Sequence, residues 1–414
     1  YPGETFADQP LYTLSSYLLR LLRRFIAQQQ WEREEVNQRI SLLAHGLSAD
    51  QPKLFVWASK RIEKELAAAS CRNSELFHRQ YTLWQYMNAF YLKYGRRNSD
   101  EHLIKAHANL DIYLLGEKMK LSCQTLARHQ VTGQEYDLPL SSLLIQYVHE
   151  QQAYFSTQPS VWLYYLSYQL MATGAEVYYF ELRQQLRQHK ARFPADEARD
   201  LYTVAINYCV KAINFGQENY RRETFEVYQE MLAEGLLYRN GQLPQWDFTN
   251  IVALGCRLGD YTWTENFMQN EKKRLAQEQA ENTYSYNLAA YYYSRAEYDQ
   301  ALYTLQSVAF TDTYYNLLSR ILQLEIYYDT AQWQTLDYQL DAFRLFLLRQ
   351  RNLEPQRRKS SQRFLQFTRR LLKLREAEKL LDAAEIDQRK AQLHDDIRQS
   401  ARVLNKAWLL ARVK

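Results

Sequence analysis

Glycine and proline are scarce in this sequence, with 11 Gly and 8 Pro among 414 residues. A sheet-rich protein of this length needs many more turn formers, so the scarcity favours helices joined by short turns. Cysteine is also sparse, because Cys71, Cys123, Cys209 and Cys256 lie far apart and form no CxxC pair. This spacing argues against a disulfide scaffold or a zinc site and fits a reducing compartment, so we expect a cytoplasmic protein.

Long apolar runs are missing as well. The stretch 18–26 is interrupted by Arg20, Arg23 and Arg24, and no other segment approaches the roughly 18 apolar residues of a membrane span. The sequence therefore predicts a soluble protein without membrane insertion. Because the first residue is Tyr1 rather than Met, we expect an upstream segment, and a removed signal peptide stays an open alternative.

Catalytic motifs are absent too. There is no P-loop, GxGxxG, GxSxG or HExxH, and the nearest string, HEQQ at 149–152, lacks the second histidine of a zinc pair. The closest two of the eight histidines, His102 and His107, are five apart and fall on different faces of a helix. We therefore predict a protein that is not an enzyme and has no cofactor or metal, since large helical arrays usually present surfaces rather than active sites.

Tyrosine, by contrast, is abundant, at 34 residues. Its apolar body and polar tip suit half-buried surfaces between helices and the walls of grooves. The strongest positive signal is internal periodicity: Tyr261, Tyr298 and Trp333 are separated by 37 and 35 residues. These spacings are close to the period of about 34 residues that is typical of tetratricopeptide repeats (TPRs).

The best repeat unit covers about 282–310. It places Ala289 and Ala301 where a helix pair crosses closely and a small residue is needed. The units at 246–270 and 315–345 are weaker. They hold larger residues at those positions, namely Val252 and Thr264 in the first and Leu324 and Leu336 in the second. We predict an all-α fold, an α-solenoid of TPR-like helix pairs with an N-terminal helical region and a C-terminal helical cap.

Composition suggests three parts. These are an N-terminal helical region at 1–155, TPR-like repeats at 156–348, and a basic C-terminal helical hairpin or cap at 349–414. The net charge of +5 is concentrated in the last part, where residues 351–414 hold 17 Lys and Arg against 8 Asp and Glu. Two helices are predicted there, one over the basic segment 351–375 and one at about 388–413.

The sequence resembles a family of uncharacterised bacterial TPR-like helical-repeat proteins. The strings that carry the resemblance are Tyr1-Pro2-Gly3 with Phe6 and Asp8, Glu135-Tyr136-Asp137-Leu138-Pro139, Tyr286-Asn287-Leu288-Ala289 with Tyr298-Asp299-Gln300-Ala301, and Trp408-Leu409-Leu410. They cover nearly the whole chain in order. The resemblance implies a TPR-like fold and an additional N-terminal helical segment, and it implies no activity.

The resemblance to TPRs also implies a peptide-binding groove, in which an Asn at the sixth position of a unit holds the backbone of an extended peptide. Asn250 and Asn287 occupy that position in consecutive units. An amide offers both a donor and an acceptor to a peptide backbone. The expected groove neighbours are Tyr286, Tyr293, Arg257 and Tyr328. We therefore expect a scaffold that binds a peptide or partner protein, although these asparagines could instead hydrogen-bond within the repeats while the tyrosines pack.

The basic segment 351–375 supports an alternative, a nucleic-acid-associated protein. Its candidate contacts to nucleic acid or to an acidic partner are Arg357, Arg358, Lys359, Arg363, Arg369 and Arg370. Two aromatic residues, Phe364 and Phe367, accompany them, but both fall on the apolar stripe of the predicted helix. A solvated basic face on a capping helix, or a lipid-binding helix, would give the same pattern.

Overall fold

A computed structural model describes residues 8–95, 100–308, 313–350, 353–378, 381–400 and 402–413. These residues form twenty α-helices and two short 3₁₀ helices. Within the described ranges the sole β-type pairing is an isolated bridge between Arg239 and Gln242. The prediction of an all-helical protein is therefore confirmed. None of the described helices is long and apolar enough to cross a membrane.

Local sequence signals explain where many helices begin and end. The Asn73 side chain caps α4 (Ser74–Lys93) by accepting a hydrogen bond from the Leu76 amide at 3.4 Å. Proline occupies the first helical turn of four helices, those beginning at Pro52, Pro139, Pro159 and Pro355. Glycine in the left-handed conformation ends three helices, at Gly133, Gly174 and Gly259.

The chain divides into two compact units, residues 1–220 and 221–414. The boundary lies inside the stretch predicted as repeats, 156–348, so the two units do not coincide with the three parts suggested by composition. Ten helices lie in the first unit. They are α1 (Asp8–Arg33), α2 (Glu35–Ser48), α3 (Pro52–Ala68), α4 (Ser74–Lys93), α5 (Glu101–Thr132), α6 (Pro139–Glu150), α7 (Gln152–Phe155), α8 (Pro159–Thr173), α9 (Glu176–His189) and α10 (Ala195–Asn214).

In the first unit α8 is the central element. It packs against α5, α9 and α10. Most of its side chains are buried, including Trp162, Tyr164 and Tyr165. Close packing of α5 depends on Gly116, because a Cβ at that position would lie 2.6 Å from Ser74 Oγ and 3.1 Å from the Ser160 carbonyl oxygen. Helices α5 and α10 thus both pack against α8.

The second unit begins with helix pairs. The bounds are α11 (Tyr220–Ala233), α12 (Gln245–Leu258), α13 (Tyr261–Glu271), α14 (Gln277–Ser294), α15 (Tyr298–Leu305), α16 (Thr313–Asp329) and α17 (Trp333–Arg349). Helices α12, α14 and α16 pack in succession, and each also packs against the helix that follows it, α13, α15 or α17. The predicted unit at 282–310 corresponds to α14 and α15, and its last residue, Phe310, lies outside the described residues.

Small residues permit close crossing within these pairs. Ala289 and Ala301 are both fully buried in the core that α14 and α15 share. In the pair α12 and α13 the close approach is at Gly255, where a Cβ would lie 2.1 Å from Thr264 Oγ1. The position predicted to need a small residue, Val252, is instead a fully buried core residue. Gly255, three residues later, therefore takes over the role.

Three helices end the chain: α18 (Pro355–Ala377), α19 (Ala383–Gln399) and α20 (Lys406–Val413). The single helix predicted at about 388–413 is wrong, because it breaks after Gln399. Two residues in the connection, Arg402 and Asn405, have positive φ angles of 55° and 46°, which a continuous helix excludes. Asparagine tolerates this conformation better than most residues, which fits its place just before α20.

Candidate binding cleft

The two asparagines predicted to hold a peptide differ in their surroundings. Asn287 is 1% exposed, and its amide nitrogen donates to the Thr283 carbonyl at 2.8 Å and to Thr249 Oγ1 at 3.0 Å. Asn250 is exposed, and its amide nitrogen lies 3.4 Å from the Tyr228 hydroxyl. Asn287 therefore hydrogen-bonds inside the protein, to residues of α12 and α14, which is the alternative that the sequence left open.

The tyrosines predicted to line the groove contact the end of the chain. We call residues 402–413 the C-terminal segment. The Trp408 indole nitrogen donates to the Tyr293 hydroxyl at 3.0 Å, and the Trp408 ring lies edge-on to Tyr328, with centroids 5.3 Å apart. Tyr293 in turn donates to Asp329 at 2.7 Å. Both tyrosines are thus engaged by the protein itself.

Polar contacts fix the C-terminal segment on α16. Arg412 forms a bidentate pair with Asp329, at 2.6 and 2.7 Å, and the Asp329 side chain is 5% exposed. Asn405 donates to the Glu325 carboxylate at 2.6 Å. Bidentate and charge-assisted bonds are among the strongest that side chains form. The C-terminal segment therefore covers part of the surface where the sequence predicts a peptide.

The other two predicted groove residues lie nearby in the second unit. Tyr286 is partly buried, and its ring lies 5.6 Å from that of Tyr315. Arg257 is exposed in the last turn of α12. Both lie close enough to Glu325 to interact with it electrostatically. Three of the residues predicted for the groove, Tyr286, Tyr293 and Arg257, thus lie near a buried carboxyl.

Most of the predicted basic contacts on α18 have intramolecular partners. Arg357 lies over the Tyr314 ring at 4.1 Å, Arg358 donates to the Gln350 carbonyl, Arg369 pairs with Asp341, and Arg370 pairs with Asp396 at 2.6 Å. Lys359 and Arg363 are exposed. Phe364 and Phe367 are 0% and 5% exposed, so neither is available to stack on a base.

One open concavity on the described residues lies in the first unit. It is a cleft of about 430 Å³ lined by α5, α8 and α10. We call it the α5–α8–α10 cleft. Its apolar lining residues are Ala127 and Val131 on α5, Leu170 and Met171 on α8, and Leu201 and Val204 on α10. On α8 the lining residues Tyr164, Ser167 and Met171 recur at intervals of three and four, as do the named pairs on α5 and α10, so each helix presents one face to the cleft.

Polar side chains border this apolar surface on two helices. Gln124 on α5 and Asn207 on α10 carry exposed amide groups, each of which offers donors and an acceptor. Asp200 and Lys211 also line the cleft from α10, and both are exposed. An apolar floor with a few polar groups at its border is the usual composition of a ligand-binding concavity.

A hydrogen-bonded cluster fixes one end of the cleft. The Tyr164 hydroxyl donates to Glu197 at 2.6 Å, and Asn73 donates to the other carboxylate oxygen at 3.1 Å. Lys120 lies 3.7 Å from the same carboxylate, which is 7% exposed. Burial and the Glu197 charge both raise the pKa of Tyr164. The cluster therefore holds α4, α5, α8 and α10 together with its polar groups satisfied.

The cleft offers little for catalysis. Its one thiol, Cys123, donates to the Tyr164 carbonyl at 3.3 Å, and burial raises the pKa of Cys123 to about 12. Such a thiol stays protonated and is a poor nucleophile. Among the described residues no group of three or more His, Cys, Asp and Glu side chains could hold a metal ion.

The sequence did not predict this cleft, because its lining residues form no recognisable motif. On α10 the residues Asp200, Val204, Asn207 and Lys211 recur every three or four positions beside the buried stripe of Leu201, Ala205 and Cys209. The sequence signal that could indicate the cleft is a second face of mixed polarity on a helix that is otherwise buried. This signal indicates a cleft only when α5 is known to face α10.

The chain has no recognisable relatives among the proteins compared with it. No protein-family model matches it, and neither a curated protein nor a solved structure is similar to it.

Proposed function

We propose that this protein is a non-enzymatic scaffold of TPR-like helix pairs that binds a segment of a partner protein in the α5–α8–α10 cleft. The observation that carries the proposal is the cleft itself, an apolar concavity with exposed amide side chains on two of its walls. The repeat spacing of 37 and 35 residues supports the TPR-like assignment. The proposed location is cytoplasmic, in keeping with the free cysteines.

The chemistry of the cleft suggests what the segment contains. A volume of about 430 Å³ accommodates one or two large apolar side chains, which would contact Leu170, Met171 and Val204. Gln124 and Asn207 would bond the peptide backbone, which every sequence offers, so they add affinity without selecting a sequence. This amide arrangement is the one that the sequence assigned to Asn250 and Asn287 in the second unit.

A peptide-display selection against the full chain would test the proposal. We expect the peptides that bind to share a large apolar side chain. Their affinity, measured by fluorescence anisotropy, should fall at least tenfold in the Val204→Glu variant, because this substitution places a charge on the apolar floor. Val210→Glu is the matched control. Val210 is 45% exposed on the same helix and does not line the cleft, so its variant should bind like the parent.

Two results would count against the proposal. Selected peptides that bind the Val204→Glu and Val210→Glu variants equally well would place the binding surface elsewhere. Peptides that lose affinity only with Asn250→Ala would return the site to the second unit. Circular dichroism of each variant separates a lost contact from a lost fold.

A further inference from the structure

Helix α1 is the most exposed apolar element of the described chain. All of its side chains from Leu11 to Arg33 are exposed, including Leu14 at 66%, Leu18 at 67% and Phe25 at 59%. Its one substantial neighbour among the described helices is α2. A 26-residue helix is about 39 Å long, so this surface is large. Contiguous exposed apolar surface of this kind marks an interaction site.

The apolar residues of α1 cover a wide arc. With about 100° per residue, they extend over roughly 160° of the helix circumference. The arc contains Leu11, Leu14, Leu18, Leu19, Leu21, Leu22, Phe25 and Ile26. The opposite face carries Ser16, Arg20, Arg23 and Gln30. Helix α1 is therefore amphipathic, with an apolar face that covers a little less than half of its circumference.

The charges of α1 have one sign along most of its length. Arg20, Arg23 and Arg24 lie near its centre, and residues 9–31 contain no Asp or Glu. Arg20 lies over the Tyr17 ring at 5.0 Å, so the aromatic and basic groups occur at the same level of the helix. A partner that covers the apolar arc must therefore also tolerate or neutralise three neighbouring positive charges.

We propose that α1 is a lipid-binding helix that lies in the headgroup region of an anionic membrane surface, with its apolar arc towards the acyl chains. A basic amphipathic helix with Leu and Phe on its apolar face is the form that such interfacial helices take. The arginines would contact lipid phosphates while their stems extend along the interface. The same arginines that prevent the stretch 18–26 from spanning a bilayer favour this position parallel to it.

A second copy of the chain fits these features less well. A helix pair of the coiled-coil type buries only two of every seven positions, here Leu11, Leu14, Leu18, Leu21 and Phe25. That arrangement leaves Leu19 and Ile26 exposed, and it supplies no acidic partner for the three arginines. An anionic surface covers the whole arc and complements the charge.

Vesicle co-sedimentation of the full chain would test the inference. We expect binding to phosphatidylcholine vesicles that contain about a third phosphatidylglycerol. Each arginine near an anionic surface strengthens binding about fivefold, so pure phosphatidylcholine should bind on the order of 100-fold more weakly. The triple variant Arg20→Gln/Arg23→Gln/Arg24→Gln should remove this preference. Binding of the parent should also weaken as salt is raised.

The apolar contribution has its own variant and a matched control. Leu18→Asp/Phe25→Asp should lower vesicle binding at least 100-fold, because two charges would enter the acyl region. Phe215→Asp/Leu348→Asp changes two equally exposed apolar residues, at 79% and 62%, outside α1 and should leave vesicle binding unchanged. Urea unfolding midpoints of both variants should match the parent.

Three outcomes would overturn the inference. The first is a parent chain that fails to bind anionic vesicles at low salt. The second is equal loss of binding in the control variant. The third is a parent chain that forms a dimer in light scattering and does not bind vesicles, combined with a Leu18→Asp/Phe25→Asp variant that is monomeric. That result would identify a second copy of the chain as the partner that covers α1.

Discussion

Replacing Glu325 with glutamine should make the second unit more stable at neutral pH and leave its stability unchanged in mild acid. Glu325 on α16 is 4% exposed, and the hydrogen bond that Asn405 donates to it is 2.6 Å long. Burial raises the pKa of this carboxyl from 4.5 to about 8. The hydrogen bond from Asn405 and the positive charges of Arg257 and Arg412 lower this pKa, whereas the charge of Asp329 raises it. Burial is the largest cause, so the net effect is a raised pKa.

The sign and size of the effect follow from this pKa. Between pH 4.5 and about 8 the folded protein keeps a proton on Glu325 that the unfolded chain has released. Stability therefore falls as the pH rises through this range, by about 1.4 kcal/mol for each pH unit. At pH 7 the loss is about 3 kcal/mol, and above pH 8 it no longer grows. Glutamine is neutral at every pH, and its carbonyl oxygen can still accept the Asn405 bond.

Urea unfolding at pH 5, 7 and 8.5, followed by circular dichroism, would measure the difference. The Glu325→Gln variant should match the parent within about 1 kcal/mol at pH 5 and exceed it by about 3 kcal/mol at pH 7. Glu376→Gln, an exposed position on α18, is the control and should not alter the pH dependence. A Glu325→Gln variant that is less stable than the parent at every pH would refute the reasoning, because it would indicate an ionised carboxylate stabilised by its neighbours.

Two further predictions concern packing and thiols. Gly255→Ala should lower the free energy of unfolding by about 1–3 kcal/mol, since its Cβ would lie 2.1 Å from Thr264 Oγ1, and adding Thr264→Ala should recover part of the loss in the same urea assay. A thiol reagent such as dithionitrobenzoate should modify one cysteine quickly in the folded protein, Cys71, because the other three are buried. Cys71→Ser should abolish the fast phase, and rapid modification of Cys123 would contradict the prediction.

Local sequence features predicted the helices well because their causes are local. The pair of alanines at 289 and 301 marks the crossing of α14 and α15, and both are fully buried. Proline in the first turn and glycine after the last turn give several helix bounds without any tertiary contact. Features of this kind depend on neighbours within a few residues, which the sequence displays directly.

The candidate sites were harder to predict because they depend on distant residues. The spacing of Asn287 fits a groove position, yet its amide reaches Thr249 on the preceding helix pair and is buried there. Asn405 bonds Glu325 across 80 residues of chain, and no periodic pattern signals that contact. The α5–α8–α10 cleft likewise exists only because α5 and α10 both pack against α8.

Helices α1 and α18 show why composition alone cannot predict what a basic amphipathic helix binds. Both combine clustered arginines with a stripe of Leu and Phe. In α18 the stripe is buried, with Phe364 at 0% exposure, and arginines such as Arg370 pair with nearby carboxylates. In α1 the stripe is exposed, with Phe25 at 59% exposure. Residues 9–31 of the sequence include no Asp or Glu. Part of the charge of α18 is thus balanced inside the fold by Asp341, Asp396 and Glu378, whereas the charge of α1 is directed outwards, and we expect an anionic partner for α1.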